Sequence, residues 1–219
     1  MKKNGFTLAE VLITLAIIGV VAMMTLPALM TNTAEQQAKT SLKKGISTLT
    51  DAAQMNATVK GFDYGAITSD DTSDEDKPSL WALLSTQLAV NPELSGTNKG
   101  YIKGEEDSEG SNYALYLRDG SSIMFDPSHT MKSSPYNDIE DDALPHGIPI
   151  IFDTNGKKGP NVLSNCTGKA IDATSDSATE DESDCSDKSN RVFKDQYGLR
   201  LRNSVVVPNG AAARYIVEN

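Results

Sequence analysis

The sequence has little of what enzyme active sites are built from. Only two of its 219 residues are histidine, His129 and His146, and only two are cysteine. It contains no nucleophile elbow, phosphate-binding loop or paired-cysteine metal motif, so we expect no enzyme activity. Basic residues are also scarce, with 20 Lys and Arg against 30 Asp and Glu and a net charge of -10. Direct binding to nucleic acid is therefore disfavoured, because phosphates would be repelled.

Charged residues are missing altogether from residues 11–34. This charge-free stretch overlaps an apolar run over residues 6–30, which exceeds the roughly 20 residues that span a bilayer as a helix. The run is also longer than the 7 to 15 residues in the apolar core of a cleaved signal peptide. Because Lys2 and Lys3 precede it, we expect the N-terminus to be cytoplasmic and the rest of the chain to lie outside the cytoplasm.

Two residues distinguish this run from a plain signal anchor. Glu10 is a carboxylate inside the apolar segment, where an ionised side chain costs roughly 2.5 to 3.5 kcal/mol. An amine one helical turn earlier could pair with it, but only if the chain is cut between Gly5 and Phe6. Pro27 has no N–H to donate and its ring crowds a carbonyl of the preceding turn, so the helix has a weak point there.

These residues resemble the N-terminal motif of the type IV pilin-like family, which includes type IV pilins, type II secretion pseudopilins and competence pilins. That motif is a short basic leader ending in Gly, then Phe-Thr-Leu-x-Glu and an apolar helix with a Gly and a Pro. Here it reads Gly5-Phe6-Thr7-Leu8-Ala9-Glu10, with Gly19 and Pro27 following. Ala9 stands where Ile is commoner, and the resemblance covers about residues 1–30.

The resemblance implies a structural subunit of a filament. A prepilin peptidase would cut after Gly5 and methylate the new amine of Phe6. Glu10 would pair with the N-terminus of a neighbouring subunit, and local melting between Gly19 and Pro27 would let the helix bend during packing. The implied partners are the peptidase, other subunits in a helical filament, an inner-membrane assembly platform, and membrane lipid before assembly. The implied location is the inner membrane as a single-pass protein, then an extracellular or periplasmic filament.

The predicted fold class is α+β, the type IV pilin-like fold, with a long N-terminal helix packed on an antiparallel sheet. We expect that helix to run from Phe6 to about Thr58. Its second half is amphipathic, because apolar residues recur at intervals of three or four at Ala38, Leu42, Ile46, Leu49 and Ala53. The predicted divisions are a leader (1–5), a transmembrane and assembly helix (6–30), the amphipathic half (31–60) and an extracytoplasmic head (61–219).

The head is expected to hold a short helix and about four strands. Pro78 and the apolar pattern after it indicate a helix over residues 79–90, with Trp81 as a core residue or packing anchor. Residues 95–112 read as a loop. Asp119-Gly120 predicts a hairpin with a two-residue turn, since both central positions of such a turn need positive φ. The strand candidates are 113–118, 121–126, 148–153 and 197–207, with 214–217 as a candidate extension of the last one.

The segment from Asp153 to Asn161 is the main motif in the head. Its Asp-x-Asn-Gly start resembles the first ligands of a calcium loop, but the Gly comes too early and lysines follow. Some pseudopilins bind calcium in this region, so Asp153 and Asn155 are weak calcium candidates. A structural turn, in which both side chains bond to backbone amides, is the favoured interpretation, and we expect no cofactor.

Cys166 and Cys185 are predicted to form a disulfide, because an even cysteine count outside the cytoplasm favours one. The acidic loop 166–185 would then be closed. Two other interpretations stay open: a membrane-anchored binding module that does not polymerise, and a membrane-tethered hydrolase. A type IV pilus, a type II secretion system and a competence system would all use this N-terminus.

Overall fold

The structure is a computed structural model, and it describes residues 7–62, 64, 80–97, 113–125, 147–168 and 185–218. The chain divides into two compact units, Met1–Gln37 and Ala38–Asn219. The second unit includes the C-terminal part of the long helix together with the head.

Helix α1 runs from Leu8 to Lys60, within two residues of the predicted bounds. It begins with a capping box, in which Thr7 Oγ1 accepts the Glu10 N–H (3.3 Å) and Glu10 Oε2 accepts the Thr7 N–H (2.8 Å). It ends before Gly61, whose φ of +63° suits the left-handed conformation that commonly terminates helices.

A six-stranded antiparallel sheet forms the head, with neighbouring strands following chain order. The α+β class is thus confirmed. The strands are β1 (Gly96–Thr97), β2 (Tyr113–Tyr116), β3 (Ser122–Phe125), β4 (Ile148–Asp153), β5 (Gln196–Arg202) and β6 (Val205–Pro208). The described residues of the head also form the helices α2 (Leu80–Gln87) and α3 (Ala211–Glu218) and a short 3₁₀ helix at Lys188–Asn190.

Three local predictions were wrong. Residues 214–217 belong to α3 and not to a strand. A short apolar run fits a helix as well as a strand, and the preceding Ala211–Ala213 are strong helix formers. The stretch 197–207 is two strands, β5 and β6, and residues 96 and 97 of the predicted loop form β1.

The hairpin between β2 and β3 is where it was expected, but its turn differs. Leu117 N–H donates to the Ser121 carbonyl (2.9 Å), which leaves a three-residue loop in which only Gly120 has positive φ. The Asp119 carboxylate explains the longer loop, since it accepts hydrogen bonds from both the N–H and the hydroxyl of Ser121.

The core lies between α1 and one face of the sheet. Leu42, Leu49 and Ala53 of the predicted stripe are fully buried, and Ala38 and Ile46 pack at its margin. Gly45 lies on the same face of α1, directly against the ring of Phe152. Trp81 packs against this core and meets the Tyr113 ring edge-on, with centroids 5.3 Å apart, as the packing-anchor interpretation expects.

Candidate functional site

The N-terminal part of α1 is apolar and uncovered. Leu8–Thr25 is long and apolar enough to cross a membrane, and none of it is buried. Large exposed side chains point from every side of this segment: Leu8, Val11, Leu12, Ile13, Leu15, Ile17, Ile18, Val20, Val21, Met23 and Met24. A helix that is apolar all round is expected to be covered by lipid or by other protein.

Glu10 is held against the start of this helix. Its Oε2 accepts hydrogen bonds from both the N–H and the hydroxyl of Thr7, each at 2.8 Å. The carboxylate thus lies beside the backbone N–H of Thr7. Sequence reasoning placed Thr7 in the motif but missed its capping role, although the spacing Thr-x-x-Glu is the signature of a capping box. Gly5 and Phe6 lie outside the described residues.

The two predicted flexibility residues lie inside a continuous helix. Gly19 and Pro27 both fall within α1, which carries helical backbone from Leu8 to Lys60. A methyl group added at Gly19 would meet no atom within 4 Å. No neighbouring atom therefore requires a glycine at this position in the isolated chain.

In the head, the Asp153 carboxylate lies at the end of β4 and is 1% exposed. Its Oδ1 accepts the Asn155 N–H (3.0 Å) and its Oδ2 accepts Nε2 of Gln196 (3.1 Å). Burial raises the pKa of Asp153 to about 7, with the nearby Asp195 carboxylate adding to the shift and these hydrogen bonds opposing it.

Asp195, which sequence reasoning missed, is the second buried carboxylate of this loop. Its Oδ2 accepts the N–H of Asn161 (2.7 Å) and Nδ2 of Asn155 (3.3 Å), and its Oδ1 accepts the N–H of Val162 (3.0 Å). Asp195 comes next to Asp153 because β4 and β5 pair with Asp153 opposite Gln196. No local signal marks this residue, since a solitary Asp before a strand is common in loops.

Cys166 and Cys185 are joined by a disulfide, and both are buried. The pair packs against Ala211 and Ala212 of α3. Arg191 Nε donates to the carbonyl of Cys185 (2.6 Å). The disulfide and its packing therefore hold both ends of the acidic loop 166–185 against α3. Residues 169–184, with most of the acidic run, lie outside the described residues.

The described residues hold no group of three or more His, Cys, Asp or Glu side chains that could bind a metal ion. Asp153 and Asp195 are the two buried carboxylates described at the loop over residues 153–161, and N–H groups already donate to both of them. Asn155, the other calcium candidate, donates its side-chain amide to Asp195.

Comparison with known proteins identifies the N-terminal segment. Residues 1–26 match the family model described as the prokaryotic N-terminal methylation motif. No curated protein and no solved structure matched the chain. This motif marks pilin-like structural subunits, which are not enzymes, and the uncovered apolar helix fits the single-pass membrane anchor of a pilin. Residues 1–26 are thus the prepilin-type motif found in type IV pilin and pseudopilin precursors.

Proposed function

We propose that the chain is a structural subunit of a type IV pilus or a type II secretion-type filament. The methylation motif at residues 1–26 carries the proposal, because it combines a short basic leader with an apolar helix. The uncovered apolar surface of Leu8–Thr25 agrees with it, since such a helix needs lipid before assembly and other subunits afterwards. In this proposal the subunit passes from the inner membrane into the filament through an assembly platform.

Processing is proposed to occur after Gly5, by a prepilin peptidase that also methylates Phe6. The position of Glu10 supports a pairing role, because its carboxylate is exposed near the start of the helix, where the amine of a neighbouring subunit could reach it. In the filament, Glu10 would compensate the N-terminal amine of a neighbouring subunit. Pairing matters there because an isolated ion in an apolar core is far costlier than a paired one.

The segment from Gly19 to Pro27 is proposed to lose helical structure on packing. Glycine and proline both disfavour the interior of a helix, by about 1 and 3 kcal/mol relative to alanine. A helix carrying both within nine positions needs less energy to open there than elsewhere along its length. The disulfide between Cys166 and Cys185 is proposed to close the acidic loop on the outer side of the membrane.

A test of assembly compares Glu10→Ala with Thr14→Ala in cells that carry the complete export system. Thr14 is a matched control, since it is exposed on the same helix and its hydroxyl bonds only to the Val11 carbonyl. We expect wild type and Thr14→Ala in the sheared-fibre fraction and Glu10→Ala in the membrane fraction alone. Normal fibre incorporation of Glu10→Ala would remove the pairing role.

The alternative function, a membrane-anchored binding module, makes a different prediction in the same experiment. A protein that never polymerises would be absent from the fibre fraction even as wild type. Type IV pili and type II secretion systems share the motif, so the genes beside this one are the observation that separates them.

A further inference from the structure

Asn161 lies at the centre of the loop that resembles a calcium site. It is 5% exposed and has a φ of +52°, a backbone conformation that asparagine tolerates better than most residues. Its side-chain nitrogen, which carries two N–H donors, lies 3.2 Å from each of three acceptors, the carbonyls of Gly156 and Lys158 and Asp153 Oδ2. Three oxygens from three different residues thus converge on one amide group.

The hydrogen-bond partners fix the orientation of this amide. If it were reversed, its oxygen would face those three oxygens and its nitrogen would face only donors. A cation bound between the Asn161 oxygen and those three oxygens would remove the repulsion among the oxygens. It would not remove the repulsion between the Asn161 nitrogen and the donors. With the nitrogen toward the three oxygens, both ends of the Asn161 side chain are satisfied without a cation.

The remaining oxygens of the loop are also poorly disposed toward a cation. Both Asp195 oxygens accept backbone N–H groups, and Asp153 Oδ1 accepts the N–H of Asn155. An N–H directed at a carboxylate oxygen presents positive charge where a cation would have to approach. Among the side-chain oxygens of Asp153, Asn155 and Asp195, Asn155 Oδ1 is buried without a hydrogen bond from the described residues. Calcium takes six to eight oxygens, so this oxygen and the three that face the Asn161 amide fall short of a site.

We infer that the loop over residues 153–161 is a cation-independent clasp, in which the Asn161 amide occupies the place that calcium would take between Asp153 and two backbone carbonyls. The clasp joins the end of β4 to the residue that precedes β5, through Asp153 and Asp195. It also lies against the β2–β3 hairpin, because a Cβ added at Gly156 would be 2.5 Å from the Gly120 carbonyl oxygen. This inference does not depend on whether the chain forms filaments.

The test uses the full-length chain in detergent micelles, with thermal unfolding followed in excess EDTA and in CaCl₂. Wild type is expected to have the same Tm in both. Asn161→Gly removes the amide, keeps the positive φ and should lower the Tm by roughly 2 to 12 °C, equally in both solutions. Asn161→Asp replaces the donor with a third carboxylate; its Tm should be low in EDTA and should rise in CaCl₂.

A wild-type Tm that is the same in EDTA and in CaCl₂ supports the inference whether or not either variant folds. A wild-type Tm that falls in EDTA and recovers in CaCl₂, with the response absent from Asn161→Gly, would overturn it. A response that Asn161→Gly retains comes from calcium bound outside the clasp and agrees with the inference.

Discussion

The contact between α1 and the sheet depends on the absence of a side chain at Gly45. A Cβ at this position would lie 2.7 and 2.8 Å from Cε1 and Cε2 of Phe152, and closer still to Cζ. Phe152 is 2% exposed in the middle of the sheet and cannot turn away into solvent. Gly45→Ala should therefore force α1 and β4 apart.

The expected magnitude is the difference between two effects. Overpacking a core by one methyl group costs about 1 to 3 kcal/mol. Alanine is a better helix former than glycine by about 0.5 to 1 kcal/mol, which offsets part of that cost. Because the added Cβ would lie under 3 Å from three ring atoms, the packing cost is near the top of its range. The net loss is then about 2 to 2.5 kcal/mol, a Tm decrease of roughly 4 to 10 °C for a chain of this size.

Thermal unfolding of the full-length protein in detergent measures this decrease. Gly19→Ala is the control, because a Cβ there meets nothing within 4 Å and should not lower the Tm. Combining Gly45→Ala with Phe152→Leu should cost less than the sum of the two single changes, since the smaller side chain makes room for the methyl group. If Gly45→Ala is as stable as wild type, the proposed packing of α1 on the sheet is wrong.

Three further predictions concern the head. The folded-state pKa of Asp153 is about 7, above the unfolded value near 3.9. Between about pH 4 and 7 the folded protein therefore binds one proton more than the unfolded chain. Its stability falls as the pH rises through this range, by at most about 1.4 kcal/mol per pH unit. Urea unfolding across this range should show a shallower slope for Asp153→Asn than for wild type; equal slopes would contradict the assignment. Changing Cys166 and Cys185 to Ser opens a loop of 19 positions. The free energy of unfolding, measured by urea denaturation, should fall by about 3 kcal/mol. A decrease below about 1 kcal/mol would show that the bond does not constrain the unfolded chain. The Lys44–Asp119 ion pair (2.9 Å) is exposed, so Lys44→Ala should lower the free energy of unfolding by less than about 1 kcal/mol, and by less still at high salt. A decrease that does not change with salt would point to lost packing and not to the lost ion pair.

Features with local signals could be predicted from the sequence. The buried face of α1 follows from the spacing of Leu42, Leu49 and Ala53, and the β2–β3 hairpin follows from Asp119-Gly120. The prepilin-type motif lies within residues 1–26, so every residue that carries it can be read in one place.

Features that depend on contacts between distant residues could not be predicted. Asp153 and Asp195 are 42 positions apart and meet only because β4 and β5 pair in one register. The role of Asn161 depends on carbonyls of its own loop that no side-chain pattern reveals. The strand predicted at 214–217 failed for another reason, because four apolar and polar residues fit a helix as well as a strand.

Mass spectrometry of the mature N-terminus tests the central claim most directly. Protein from the membrane and sheared-fibre fractions should begin at Phe6, lack residues 1–5 and carry one methyl group on the N-terminal amine. An intact Met1 in both fractions, with no methylated Phe6, would contradict the proposed processing and with it the filament-subunit function.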